Sequence, residues 1–187
     1  MNLSHYHIDS SWTLFLDRDG VINRRIIDDY VKTPADFIFL EKVPEAIQSL
    51  SNIFGKIFIV TNQQGIGKGL MNVEELELVH QHLLKEVEKA GGKIDQIYFC
   101  SELATVNHPD RKPEIGMANQ AKNDFPEIDF SKSIMLGDSI SDMEFGKNAG
   151  MKTVFVRSGM EPDKTVMHLA DETLESLNEF AHLIINS

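Results

Sequence analysis

Short apolar runs alternate with segments of helical period along this chain, and that alternation limits the fold more than any other feature. Residues 13–16, 56–60, 94–99, 133–136 and 153–156 are rich in Ile, Val, Leu and Phe without clean alternation. Runs of that kind are expected as strands covered on both faces. Between them, Asn72 is a good helix N-cap and Glu75 completes a capping arrangement. Leu76, Val79, Leu83 and Val87 then fall on one helix face, and Gly91 and Gly92 stop it. Residues 44–50, 114–122, 142–148 and 172–185 are further predicted helices, the third stopped by Gly150. Strand and helix in repetition predict an α/β fold, a three-layer sandwich around a central parallel sheet. No repeat or linker interrupts the pattern, so 1–187 is expected as one domain, with a core over about 12–160 and a C-terminal helix over about 172–185.

Composition narrows the function classes. The chain has 187 residues, 42% of them hydrophobic, which suits one self-sufficient core. A single cysteine, Cys100, excludes a disulfide framework and a zinc site built on several thiolates. The net charge of −11 argues against nucleic-acid binding, because phosphate backbones call for clustered Lys and Arg. No run approaches the ~18 apolar residues of a membrane span. Residues 1–11 lack a basic segment followed by an apolar one, so a cytoplasmic protein is expected.

In a parallel sheet, ligands bind beyond the carboxyl ends of the strands. The first predicted strand ends in Asp17-Arg18-Asp19-Gly20. Alone, these could be ordinary loop residues; a calcium loop is excluded by Val21 at the third ligand position and by the lack of a preceding helix. The second strand leads into Thr61-Asn62-Gln63, then Gly65-Ile66-Gly67-Lys68-Gly69. That stretch is not a nucleotide P-loop, because Asn62 stands where a Gly is needed and Gly69 where Ser or Thr is needed. After the third strand comes Arg111-Lys112-Pro113, with Pro113 as a candidate first residue of a helix and an anion role for the cations before it. The fourth strand ends in Gly137-Asp138-Ser139-Ile140-Ser141-Asp142. Four strand ends thus carry a carboxylate pair, a hydroxyl, a cation and further carboxylates. Several carboxylates at one spot repel unless a cation sits among them, and hard oxygen ligands favour Mg²⁺. With Thr61 and Lys112 as donors, the residue types describe a phosphoryl-transfer site.

These motifs resemble the haloacid dehalogenase (HAD) superfamily of phosphohydrolases: Asp17-Arg18-Asp19-Gly20, Thr61-Asn62, Lys112, and Gly137-Asp138 with Asp142, in order. Phe15 to Asn23 with Tyr30-Val31, Val60 to Gly69, and Arg111-Lys112-Pro113 with Gly116-Met117 are similar to the group of D-glycero-D-manno-heptose 1,7-bisphosphate phosphatases and histidinol phosphatases. One departure stands out. That group carries a structural zinc, held by three Cys and one His, in the loop before Arg-Lys-Pro. Here the loop offers only Cys100 and His108, so no zinc is expected.

The resemblance implies roles. Asp17 is the nucleophile, forming an aspartyl-phosphate, and Asp19 is the acid and base, protonated when substrate binds. Mg²⁺ is held by the Asp17 carboxylate, the Asp19 main-chain carbonyl and Asp138. Thr61, Asn62 and Lys112 hold the phosphoryl group. Gln63, Gln64, Arg111, Tyr30 and Ser139 bind substrate, and Asp142 orients the site from behind. Thr61 lies 44 residues after Asp17, and Lys112 51 residues after Thr61. Neither interval has room for the ~50 or more extra residues of a folded cap, so the enzyme is expected to be capless; a monomer is the default expectation. Its open site would be shaped by loops 23–32, 63–69 and 100–110. The expected activity is removal of the C7 phosphate of a heptose bisphosphate. Histidinol-phosphate phosphatase, nucleic-acid 3′-phosphatase and a non-catalytic binding module are the alternatives.

Overall fold

Alternate residues of each central strand point to opposite faces of the sheet, and both faces are covered, which is why the strand sequences do not alternate. Leu14, Leu16, Ile57, Ile59, Ile134 and Leu136 pack into one apolar cluster. Phe15, Phe58, Val60 and Met135 pack into the other. The computed structural model describes residues 6–159 and 164–186.

Among the described residues the strands are β1 (Thr13–Leu16), β2 (Lys56–Asn62), β3 (Gln96–Cys100), β4 (Ser133–Gly137), β5 (Lys152–Val156) and β6 (Glu172–Leu174). They form one sheet in the order β3-β2-β1-β4-β5-β6, every pair parallel. The α-helices among the described residues are α1 (Val43–Ser51), α2 (Val73–Lys89), α3 (Gly116–Asp124), α4 (Ile140–Ala149), α5 (Lys164–Leu169) and α6 (Leu177–Ile185). Val79, Leu83 and Val87 of α2 and Phe180 and Ile184 of α6 cover the first face. Met117, Ala118 and Ala121 of α3 and Phe145 of α4 cover the second. The strand order runs outward in both directions from β1, so the crevice between β1 and β4 is where an α/β sheet binds its ligand. No helix among the described residues is long and apolar enough to cross a membrane.

The α2 capping box is present as read: Asn72 Oδ1 accepts from the Glu75 amide at 2.8 Å, and Glu75 Oε2 accepts from the Asn72 amide at 2.8 Å. Gly150 closes α4 with φ 83°, a left-handed conformation that glycine adopts without a side-chain clash. Three expectations need correction. Residues 172–185 are not one helix. Glu172–Leu174 forms edge strand β6, and α6 starts only after Ser176, whose hydroxyl accepts from the Glu179 amide at 3.1 Å. Helix α5 was not foreseen from the sequence. Finally, α3 begins at Gly116 rather than at Pro113 or Glu114. Residues 108–116 coil back on themselves first: Arg111 N bonds His108 O, Glu114 N bonds Arg111 O and Gly116 N bonds Pro109 O, at 2.8–3.0 Å. Lys112 therefore stands four residues before α3 and not at its N-terminus.

Asp171 anchors the β6 edge of the sheet. Its Oδ2 accepts from the Thr153 amide at 2.9 Å and from Lys147 Nζ at 2.7 Å, tying β5, α4 and the approach to β6 together. Burial pushes its pKa up, but these donors outweigh burial and hold it below the usual carboxylate value. A depressed folded-state pKa means the stabilisation is present above the unfolded value near pH 4 and is lost as pH falls through the folded one. Asp171→Asn should therefore cost about 1.5–3 kcal/mol in urea unfolding at pH 7. The deficit should shrink when the titration is repeated in acid.

Candidate active site

Lys112 is a buried cation with three close oxygen neighbours from three parts of the fold: it donates hydrogen bonds to two and forms an ion pair with the third. Nζ lies 2.8 Å from Asp17 Oδ1, 2.7 Å from the Val60 carbonyl of β2 and 2.6 Å from Asp142 Oδ1 of α4. Its backbone is clamped by Asn62: the Asn62 Oδ1 accepts from the Lys112 amide and Asn62 Nδ2 donates to its carbonyl, each at 3.1 Å. The Asn62 side chain thus holds Lys112 in place, so donation to a phosphoryl oxygen would have to come from elsewhere.

Asp17 follows β1, its amide bonded to Leu136 O of β4 at 2.9 Å, so the β1–β4 ladder itself aims the carboxylate. Asp142 is held by its helix cap: its Oδ2 accepts from the Ser139 amide at 3.0 Å and the Ser139 hydroxyl at 2.5 Å. Asp17, Asp138 and Asp142 each offer an oxygen within 4.8 Å of the others. Burial, then repulsion from Asp142, raises the Asp17 pKa, against the pull of Lys112. Burial, then repulsion from Asp17, raises that of Asp138, against the pull of Arg25. Lys112 is pushed down by burial but up by more, through the charges of Asp142 and Asp17. Two carboxylates pushed toward their neutral forms mark a place where negative charge exceeds positive. An all-oxygen, over-anionic cluster fits a hard divalent cation. Gly20 makes room for it: at φ 95°, a Cβ there would lie 1.8 Å from Asp138 Oδ2.

Asp19 sits on the same turn with four hydrogen bonds. Arg18 Nη2 reaches both carboxylate oxygens (3.0 and 2.8 Å), Asn23 Nδ2 reaches Oδ1 (2.9 Å) and Gln63 Nε2 reaches Oδ2 (2.8 Å). Burial pushes the Asp19 pKa up, but the Arg18 charge and these donors outweigh it and bring it below the ordinary value. The resting carboxylate is thus set for ionisation; the protonated form that the resemblance implies belongs to the substrate-bound state.

A cavity of about 520 Å³ opens over these groups. Asp17, Asp19, Tyr30, Thr61, Asn62, Gln64, Arg111, Lys112, Ser139 and Asp142 all line it. Two residues singled out from the sequence are not among its walls. Asp138 is buried beside it, and Gln63 is buried with its amide turned to Asp19 and to Thr61 Oγ1 (2.9 Å), which orients those two groups instead of meeting substrate directly. Arg111 donates to the Glu102 carbonyl at 3.0 Å, and the Gln64 carbonyl oxygen accepts from the Ala104 amide at 3.3 Å, so both also brace the 100–110 loop. In that loop Cys100 Sγ and His108 Nδ1 are 3.9 Å apart.

Three residues escaped the sequence reading. Arg25 Nη2 lies 2.6 Å from Asp138 Oδ1 and 3.3 Å from the Asp19 carbonyl oxygen, touching two of the three expected metal ligands. Arg18 is fully buried beneath the loop, and His80 of α2 meets it. No pattern marks Arg25, which lies in the loop six residues after Asp19. His80 carried a faint signal: it falls on the buried stripe of α2, four residues after Leu76, where a polar side chain needs a partner.

Comparison with known proteins agrees with this geometry. A family model described as HAD-hydrolase-like matches residues 110–180. The D-glycero-alpha-D-manno-heptose-1,7-bisphosphate 7-phosphatase of Mycobacterium tuberculosis is 35% identical over 170 residues, spanning 91% of this chain and 90% of the relative. The D-glycero-D-manno-heptose-1,7-bisphosphate 7-phosphatase of Chlorobaculum tepidum is 31% identical, spanning 92% and 96%. Among solved structures, the D,D-heptose 1,7-bisphosphate phosphatase of B. bronchiseptica, complexed with magnesium and phosphate, superposes with a TM-score of 0.84 at 27% identity, over 94% of this chain and 98% of that one. With the fold, the carboxylate cluster and these relatives in agreement, the chain belongs to the HAD superfamily of hydrolases, in the family of heptose bisphosphate phosphatases.

Proposed function

We propose that this chain is a Mg²⁺-dependent phosphomonoesterase that removes the C7 phosphate of D-glycero-D-manno-heptose 1,7-bisphosphate through an aspartyl-phosphate on Asp17. The observation that carries this reading is the pairing of Asp17 and Asp19 on one turn at the end of β1, with Lys112 bonded to Asp17 at the cavity floor. The names of the similar proteins support the substrate. Arg111 and Lys68, which line the same cavity, add positive charge for a second phosphate.

Uncatalysed phosphate-monoester hydrolysis is so slow that enzymes supply factors of up to ~10²¹, so several effects must combine. An Asp17 oxygen attacks phosphorus, and the bond from phosphorus to the sugar oxygen breaks. The leaving oxygen takes a proton from Asp19. Water then attacks the phosphorus of the aspartyl-phosphate, gives its proton to Asp19, and releases orthophosphate and Asp17. Asp19 begins ionised, so it gains its first proton as substrate arrives: a phosphate dianion beside it opposes the Arg18 charge and raises its pKa. Thr61 and Lys112 hold the transferring group, Gln63 aligns Thr61 with Asp19, and Asp142 holds Lys112. Asp17, the Asp19 main-chain carbonyl and Asp138 would hold Mg²⁺, which supplies positive charge to the phosphoryl oxygens. The buried free thiol of Cys100 accords with a reducing, cytoplasmic setting, and we take the working unit to be a monomer.

Asp17→Asn should abolish orthophosphate release and leave no acid-stable phosphoenzyme on quenching; retained activity would refute the nucleophile assignment. On a panel of sugar bisphosphates, histidinol phosphate and 3′-phosphorylated oligonucleotides, heptose 1,7-bisphosphate should lose one phosphate and keep that on C1. Preference for another member would displace the substrate. Because the Arg25 guanidinium contacts two metal ligands, Arg25→Gln should bind Mg²⁺ about five- to tenfold more tightly by titration calorimetry. Asp138→Asn should bind it more weakly.

A further inference from the structure

Arg18 has an unusual burden for a residue inside a catalytic turn: its side chain is fully buried, yet it carries a permanent charge. Part of that charge is met by Asp19. Only one nitrogen does this, because Nη2 alone reaches both Asp19 oxygens. The two-nitrogen fork that makes an Arg–carboxylate pair self-aligning is therefore not formed here. Nε has no hydrogen-bond partner among the described residues. The tilt of the guanidinium is left to what Nη1 finds, and Nη1 finds Nε2 of His80 at 3.2 Å.

His80 is well placed for this. It projects from the buried stripe of α2 and lies edge-on to Phe99 of β3, with ring centroids 6.0 Å apart. It can accept from Arg18 only as the neutral imidazole. Burial, then the Arg18 charge, brings its pKa down to about 3, outweighing the opposite pull of Asp19, so the ring is neutral through the whole working range. A histidine that merely filled space on this stripe would need no charged neighbour; leucines occupy the same stripe.

We propose that His80 is a positioning residue for the chemistry: by accepting from Arg18, it sets the guanidinium that orients the Asp19 carboxylate toward the leaving oxygen. The inference rests on the reading of Asp19 as the proton carrier. Proton transfer at a fixed carboxylate is sensitive to placement, and a shift of about 1 Å can cost up to about 10²-fold in rate.

The test uses leaving groups. A sugar alcohol must be protonated as it departs, whereas dinitrophenolate leaves without a proton. His80→Leu should lower kcat about tenfold on the sugar phosphate and by less than about twofold on 2,4-dinitrophenyl phosphate, with KM little changed. His80→Gln, whose carbonyl oxygen can accept from Nη1, should recover most of the loss. A purely structural role for His80 predicts equal losses on both substrates and no recovery, and that result would overturn the proposal, as would an unchanged kcat. If His80→Leu does not fold, Arg18→Lys, which keeps the charge but breaks the link, must show the same leaving-group selectivity or the proposal fails. Asp19→Asn separates the two levels. If it keeps activity on the sugar phosphate, the assignment of Asp19 is wrong and the inference falls with it. If it loses that activity while His80→Leu loses nothing, only the inference fails.

Discussion

The site depends on one buried ammonium group. Lys112 Nζ joins Asp17, Asp142 and the Val60 carbonyl, and so ties the loop before α3 to β1, β2 and α4. Breaking a buried ion pair by removing one partner costs about 3–5 kcal/mol, because the other charge is stranded. Here two carboxylates would be stranded at once. Every surrounding feature serves to keep that ammonium in place. Asn62 clamps its backbone, the Ser139 cap fixes Asp142, and the β1–β4 ladder aims Asp17.

The second constraint is charge. A chain of net charge −11 must receive a phosphorylated substrate. It does so locally, with Lys112, Arg111, Lys68 and Arg25 among the walls of one cavity. The carboxylates divide into two environments. Asp17 and Asp138 are raised because they crowd one another, which calls for a cation between them. Asp19, two residues from Asp17, is lowered because Arg18, Asn23 and Gln63 surround it with donors. Neighbouring carboxylates whose pKa values are pushed apart by their surroundings can take different roles, as the proposed nucleophile and proton carrier require.

Much of this was legible in the sequence, where local signals are strong. The four inner runs were visible as doubly covered strands, whereas residues 94–99 hold the edge strand β3, which is only partly covered; the Asn72–Glu75 box marked α2, and Gly150 marked the end of α4. The sheet then brings Asp17, Thr61, Lys112 and Asp142 together. What escaped depends on tertiary pairing. Glu172–Leu174 is half-buried edge strand whose identity comes from its bonding to β5, and helical periodicity downstream masked it. The delayed start of α3 follows from turns closed by Pro109, His108 and Arg111. Gln63 reads as a loop residue but is buried against Asp19. Arg25 and His80 touch the motifs from 6 and 62 residues away in sequence, distances at which pattern gives no guidance.

The most direct test of the account is a crystal structure of the protein grown with Mg²⁺ and beryllofluoride, a mimic of the aspartyl-phosphate. The account predicts beryllium bonded to an Asp17 carboxylate oxygen, fluorides facing Lys112 and Thr61, and the metal on Asp17, the Asp19 carbonyl and Asp138. Beryllofluoride on any other residue, or a metal held without Asp138, would contradict it.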